Sequence, residues 1–202
     1  RRHLVQCGLW RTGAWQLLGK RLSNISSILL ANITDERDCS GSSLIVLRND
    51  ANIVRFDNES TSYVNVPRPT LSGYNGVAIA VNPDNVREIY IADNTNGILK
   101  TVNGGSSWAK ISSGIPAGVT FNNLYYHEGS GDLYAISASS GIFFLQNGET
   151  QWRLWMKGYN PAAFGGAQIN YGTQEMMIYD YGRGIWIADL ETPADRFFKN
   201  GF

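Results

Sequence analysis

Short apolar runs alternate with polar, glycine-containing turns along most of the chain, and four pairs of these runs line up. Ser43-Leu44-Ile45-Val46-Leu47 leads to Asn52-Ile53-Val54-Arg55, and Glu88-Ile89-Tyr90-Ile91-Ala92 leads to Gly97-Ile98-Leu99-Lys100. Asp132-Leu133-Tyr134-Ala135-Ile136 leads to Gly141-Ile142-Phe143-Phe144, and Glu175-Met176-Met177-Ile178-Tyr179 leads to Gly184-Ile185-Trp186-Ile187. In each pair the anchors lie nine residues apart: Leu44 to Ile53, Ile89 to Ile98, Leu133 to Ile142 and Met176 to Ile185. From Leu9, in a partial earlier copy, the second anchors fall at steps of 44, 45, 44 and 43 residues. Runs of this length, rich in β-branched and aromatic residues, predict strands. Turns such as Asn94-Thr95-Asn96-Gly97 and Ala138-Ser139-Ser140-Gly141 supply the left-handed or self-bonding residues that close hairpins.

Two further features complete the repeat. An aromatic residue follows ten positions after the second anchor, at Tyr63, Trp108 and Trp152. Another apolar run precedes the next hairpin, as in Val77-Ala78-Ile79-Ala80-Val81 and Thr120 to Tyr125. The unit is four strands in roughly 44 residues, the size of a propeller blade. A single four-stranded sheet leaves both faces uncovered, and radial stacking covers them. Small residues at Ala78, Ala80, Ala135 and Ala138 suit a crowded ring centre. A parallel β-helix fits less well, because its repeats are shorter and poorer in hairpins. The expected fold is an all-β propeller, about four blades long and part of a larger ring of six to ten blades. Residues 1–190 form the propeller portion and 191–202 a tail or linker.

The segment Thr101-Val102-Asn103-Gly104-Gly105-Ser106-Ser107-Trp108 resembles the Asp-box, or BNR repeat, with Asn103 in place of the usual aspartate. Thr101, Asn103, Gly105, Ser107 and Trp108 fill its defining positions. Degenerate copies in register run from Asn58 to Tyr63 and from Asn147 to Trp152, with Ser60 and Glu149 where the motif has glycine. Tyr181-Gly182-Arg183-Gly184-Ile185-Trp186 is similar to an ending seen in secreted bacterial BNR-repeat proteins. The wider group includes xyloglucanase-like glycoside hydrolases, sortilin-type receptors, photosystem assembly factors and many surface proteins. The resemblance implies an architecture, and function has to be argued from a site.

Charge adds little: 17 lysines and arginines balance 17 aspartates and glutamates, which predicts no nucleic-acid partner. No apolar run approaches the length of a membrane-spanning helix. Cys7 and Cys39 leave open both a disulfide and a pair of buried thiols. Sequons at Asn24, Asn32 and Asn58 lean toward a secreted or cell-surface location. The abrupt start at Arg1, Arg2 and His3 reads as a mature or trimmed piece.

Candidate chemistry is sparse. A glycosidase needs two carboxylates across a cleft, and Asp93, Glu128, Asp132, Asp180 and Asp189 at turns or strand ends stand in no catalytic motif. Arg55, Arg87, Arg153 and Arg183 do not form the arginine cluster that the sialidase pattern expects. His3 and His127 lack a partner at metal-ligand spacing, so no metal site and no cofactor are predicted. Arg153, Trp155, Tyr159 and Arg183 form a possible binding surface, with blade-to-blade core as the favoured role for the two aromatics. The polar stretch Thr34 to Ser42 is an insertion of the kind that carries either function or nothing.

The favoured reading is a secreted or cell-surface propeller module that binds protein or glycan or has a structural role, with no catalysis. A protein partner or second chain would complete the ring. The alternative is a polysaccharide-acting hydrolase whose cleft is completed by missing blades. A photosystem-type assembly factor would favour basic patches, and the balanced charge argues against it.

Overall fold

In the computed structural model, residues 16–17, 20–21, 25–31, 43–57, 62–137, 139–155, 164–170, 173–180, 184–190 and 199–201 are described. Two short strands, β1 (Gln16–Leu17) and β2 (Lys20–Arg21), pair with each other. Four antiparallel sheets of four strands follow, each a simple meander in chain order. The first blade is β3 (Ile25–Ala31), β4 (Ser43–Arg48), β5 (Ile53–Asp57) and β6 (Val64–Val66). The second is β7 (Gly76–Asn82), β8 (Asn85–Asp93), β9 (Gly97–Thr101) and β10 (Ala109–Lys110). The third is β11 (Asn123–Tyr126), β12 (Leu133–Ser137), β13 (Gly141–Leu145) and β14 (Arg153–Leu154). The fourth is β15 (Phe164–Asn170), β16 (Glu175–Asp180), β17 (Gly184–Asp189) and β18 (Lys199–Gly201).

Every apolar pair read from the sequence is the central hairpin of a blade, and its second anchor pairs across the turn with the residue three positions after the first. Leu47 pairs with Ile53, Ala92 with Ile98, Ile136 with Ile142, and Tyr179 with Ile185. Gly97, Gly141 and Gly184 open β9, β13 and β17 with φ of 88°, 94° and 90°. That left-handed corner is one that glycine alone adopts without strain. Tyr63, Trp108 and Trp152 each sit immediately before the outer strand of their blade. The segment 191–202, expected to be a tail, contains β18, which pairs with β17 and completes the fourth sheet. An outer strand of three residues with no apolar anchor leaves no periodic trace in the sequence.

The blades stack face to face, with β3 against β7 and β7 against β11. Alternation along each strand sends successive residues into different cores. In β8, Ile89 and Ile91 enter the core shared with the first blade, while Tyr90 and Ala92 enter the one shared with the third. In β12, Leu133 and Ala135 face the second blade, and Tyr134 and Ile136 the fourth. A strand covered on both sides must be apolar at every position, which is why these runs lack polar alternation. Of the small residues expected at the centre, Ala78 and Ala80 lie on the inner strand β7, whereas Ala135 lies on the second strand of its blade.

Polar groups are also shared across the joints. Tyr134 donates its hydroxyl to the carbonyl of Leu190 at 2.9 Å, and Tyr125 donates to the carbonyl of Ala167. Buried His127 contacts Ser130 Oγ through Nδ1 at 2.6 Å and Gln174 Oε1 through Nε2 at 2.5 Å. Near the second joint, Glu88 pairs with Lys100 at 2.6 Å, accepts from Tyr90 at 2.6 Å and accepts from Asn82 at 2.9 Å. Burial works to raise the Glu88 carboxyl, but hydrogen bonds from Lys100, Tyr90 and Asn82 outweigh it and hold it below its ordinary 4.5. A carboxylate held low in the fold adds stability above that ordinary value and loses it as pH falls through the folded value. Glu88→Gln is therefore expected to flatten the loss of stability below pH 4.5, measured by urea titrations across that range.

Candidate functional site

The loop between β9 and β10 is a closed network. Thr101 Oγ1 accepts from the Gly105 N–H at 3.0 Å and the Asn103 N–H at 3.3 Å, and donates to Asn103 Oδ1 at 2.9 Å. Asn103 Oδ1 also accepts from the Ser107 N–H at 2.9 Å, and Asn103 Nδ2 donates to Ser107 Oγ at 2.8 Å. Gly105 has a φ of 91°, and a Cβ there would lie 2.3 Å from the Pro67 carbonyl oxygen. Only glycine lets this loop press on the preceding blade. Trp108 then donates its indole N–H to the same Pro67 carbonyl at 2.9 Å. The five residues that carry the resemblance thus clamp two blades together. Thr101→Val keeps the shape and removes the buried acceptor of two amides. It is expected to cost about 1–3 kcal/mol, read by chemical denaturation.

The copy between β13 and β14 keeps the clamp with other partners. Leu145 stands where Thr101 stands and is buried in the core, so no hydroxyl holds the turn. Asp132 from the neighbouring loop accepts from the Asn147 N–H at 2.8 Å instead, and Asn147 Nδ2 donates to the Ser130 carbonyl at 2.9 Å. Trp152 donates its indole N–H to the Ile111 carbonyl at 2.5 Å, 41 residues back, the same separation as Trp108 to Pro67. Tyr63 in the first blade has no indole donor and packs edge-on against Phe56 at 5.7 Å.

The candidate binding surface separates. Trp155 is buried in the core between the third and fourth blades, edge-on to Tyr134 at 5.1 Å, which is the core role favoured for it over the binding surface. Its position directly after a two-residue outer strand carries it back under the next sheet. Arg153 is exposed on β14, where it donates to Gln146 Oε1 at 3.1 Å and lies 5.5 Å over the Phe144 ring. Tyr159, Arg183, Asn58, Cys7, Cys39, His3 and the insertion 34–42 lie outside the described residues.

Asp93, Arg55 and Arg87 have local partners. Asp93 is fully buried and accepts from the amides of Asn75 at 2.6 Å, Thr95 at 2.8 Å and Asn96 at 2.6 Å. Arg55 pairs with Asp57 at 2.9 Å, and Arg87 donates to the Asn103 carbonyl at 3.5 Å. Among the described residues, no group of three His, Cys, Asp or Glu is placed to hold a metal.

A feature the motifs did not reveal is the loop of residues 67–75, which runs from the Pro67 contact with Gly105 and Trp108 into β7. Asp93 and Asn96 pin this loop: the Asn75 N–H donates to Asp93, and Asn96 Nδ2 donates to the Ser72 carbonyl at 3.4 Å. The pinned loop exposes Leu71 and Arg68, and the Arg68 guanidinium lies 5.9 Å over the Tyr74 ring. The Tyr74 hydroxyl is buried with no hydrogen-bond partner. Burial, reinforced by nearby Asp93 and opposed by Arg68, pushes this phenol well above its ordinary value, so it stays a donor. Gly76 makes room for it, since a Cβ there would come within 2.7 Å of the hydroxyl. No repeat signal marks an unpaired donor, which is why sequence reading missed it.

No family model and no curated protein matches the chain. Among solved structures, it is similar to that of YCF48 bound to D1 peptide, at 12% identity and a TM-score of 0.62. The match covers 89% of this chain and 56% of that one, so the chain spans just over half the length of that neighbour. YCF48 is a β-propeller, and the likeness shows that this chain has the propeller fold.

Proposed function

We propose that the chain is a protein-binding propeller module of the Asp-box type, secreted or displayed at a cell surface, and that loop 67–75 takes an extended segment of a partner protein. The observation that carries this is Tyr74, a buried donor without an acceptor on a pinned loop, flanked by exposed Leu71 and Arg68. An apolar side chain of a bound segment would cover Leu71 and Arg68 would take a carboxylate, and a shift of the Tyr74 ring on binding would bring its phenol to a backbone carbonyl of the segment. Buried polar groups ordinarily have partners, and an exception at a surface loop fits a ligand. That YCF48 is recorded with a peptide is in keeping with this use of the scaffold. The ordered clamp from Thr101 to Trp108 supports membership of the Asp-box group. The sequons at Asn24, Asn32 and Asn58 support the location, which fractionation of the source culture tests: the chain is expected with the medium or the cell surface.

The test is selection of peptides on the immobilised chain, followed by calorimetry. Tyr74→Phe, which keeps the ring, is expected to weaken the selected peptides by about tenfold through loss of one buried hydrogen bond. Arg68→Ala is expected to weaken those that carry a carboxylate. Unchanged affinity in both variants would refute the assignment of this loop. Hydrolysis of a polysaccharide by the chain would favour the hydrolase reading instead.

A further inference from the structure

The fourth blade ends the described stack with a bare sheet face. Its outward pairs are Tyr179 with Ile185 and Met177 with Ile187. Tyr179 is 50% exposed, Ile185 47% and Met177 36%. Their counterparts on the same face of the first three blades are the pairs Leu47–Ile53, Ala92–Ile98 and Ile136–Ile142, and each of these six residues is at most 1% exposed. The face is as apolar as the three that are covered, and Tyr179 lies flat along it. A Cβ on Gly166 of the paired strand would come 2.1 Å from the Tyr179 hydroxyl, so the glycine is what lets the ring lie across the inner strand. A contiguous apolar sheet of this kind is not left to water in a stable assembly.

We propose that this face is a docking surface for a fifth propeller blade, a four-stranded sheet that presents aliphatic and small side chains. That is what each later blade offers the one before: Ile89 and Ile91, Leu133 and Ala135, Met176 and Ile178. The new joint continues one already made three times. The stack aligns with 56% of its structural neighbour, and the remaining length there has room for about three more blades of 44 residues. A second copy joined head to tail does not fit, because the opposite end of the stack is already covered. Leu44, Val46, Val54 and Phe56, on the far face of the first blade, are each at most 4% exposed. The inference rests on the stacking of blades and is independent of peptide binding at loop 67–75.

The test is hydroxyl-radical footprinting of the protein as isolated from its source, beside recombinant chain 1–202, with native mass measured on both. In the recombinant chain Met177 and Tyr179 are expected to take up label. In the source protein both are expected to lose most of that label, within a particle heavier than 22.3 kDa whose additional mass is further β-repeat sequence. Full labelling in the source protein, or protection in a particle made only of copies of this chain, would overturn the proposal. Tyr179→Glu with Ile185→Lys supplies a second reading. It is expected to leave the melting of the recombinant chain unchanged while breaking the source assembly. An assembly that survives the double substitution would also overturn it.

Discussion

Trp152→Ala is expected to destabilise the chain by about 3–5 kcal/mol, the range for truncating a large buried aromatic. Trp152 is fully buried in the core between the second and third blades. Its indole N–H satisfies the Ile111 carbonyl, and its own amide donates to the Ser113 carbonyl at 2.8 Å. Gly114 packs so close that an added Cβ would lie 2.2 Å from the Trp152 carbonyl oxygen, so the gap has little freedom to collapse. Trp152→Phe separates the two contributions, because it keeps a ring in the core and leaves Ile111 without its donor. It is expected to cost about 1–3 kcal/mol. Trp108→Ala, at a half-exposed position, is expected to cost less than Trp152→Ala. Urea denaturation of the three variants checks the order, and equal effects at Trp108 and Trp152 would contradict the burial difference.

Asp93→Ala comes next, at about 3 kcal/mol or more, because it strands several donors at once. The amides of Asn75, Thr95 and Asn96 all converge on this one buried carboxylate. Hydrogen bonds to an ionised acceptor are about twice as strong as neutral ones, and buried donors left unpaired carry their full desolvation cost. Asp93→Asn keeps an acceptor oxygen but turns an N–H₂ toward other N–H groups, so it rescues only part of the loss. Both substitutions are also expected to weaken peptides at loop 67–75, since the Asn75 amide that holds the loop is one of the stranded donors. Thermal melts and peptide titration on the same samples test both effects.

Much of the fold was legible because the two central strands of the first three blades are buried on both faces. Such strands are continuous apolar runs, and the nine-residue anchor spacing recurs as one hairpin per blade, closed by the pairs Ala92–Ile98 and Ile136–Ile142. The outer strands are short and partly exposed, as at Arg153–Leu154, and carry no comparable pattern. That is why β18 hid inside an expected tail. The turn from Thr101 to Gly105 was legible because its roles are local: a hydroxyl, an amide and a glycine within five residues. Its partner was not, since nothing in the motif says that Trp108 reaches Pro67. Trp155 was ambiguous because an aromatic after an edge strand serves equally in a core or on a surface, and only the position of the fourth sheet decides. The Tyr74 donor and the bare Tyr179–Ile185 pair are visible only as missing partners, which periodicity cannot express.

The blades form a stack sealed by shared cores and open at its last described face. Native-state hydrogen exchange on recombinant chain 1–202, followed residue by residue, tests it most directly. Amides in β8–β9 and β12–β13, between two cores, are expected to exchange only through global unfolding. Those in β16–β17, with one face in water, are expected to exchange sooner, through sub-global opening. Equal protection of β16–β17 and β12–β13 in the isolated chain would contradict an open last face.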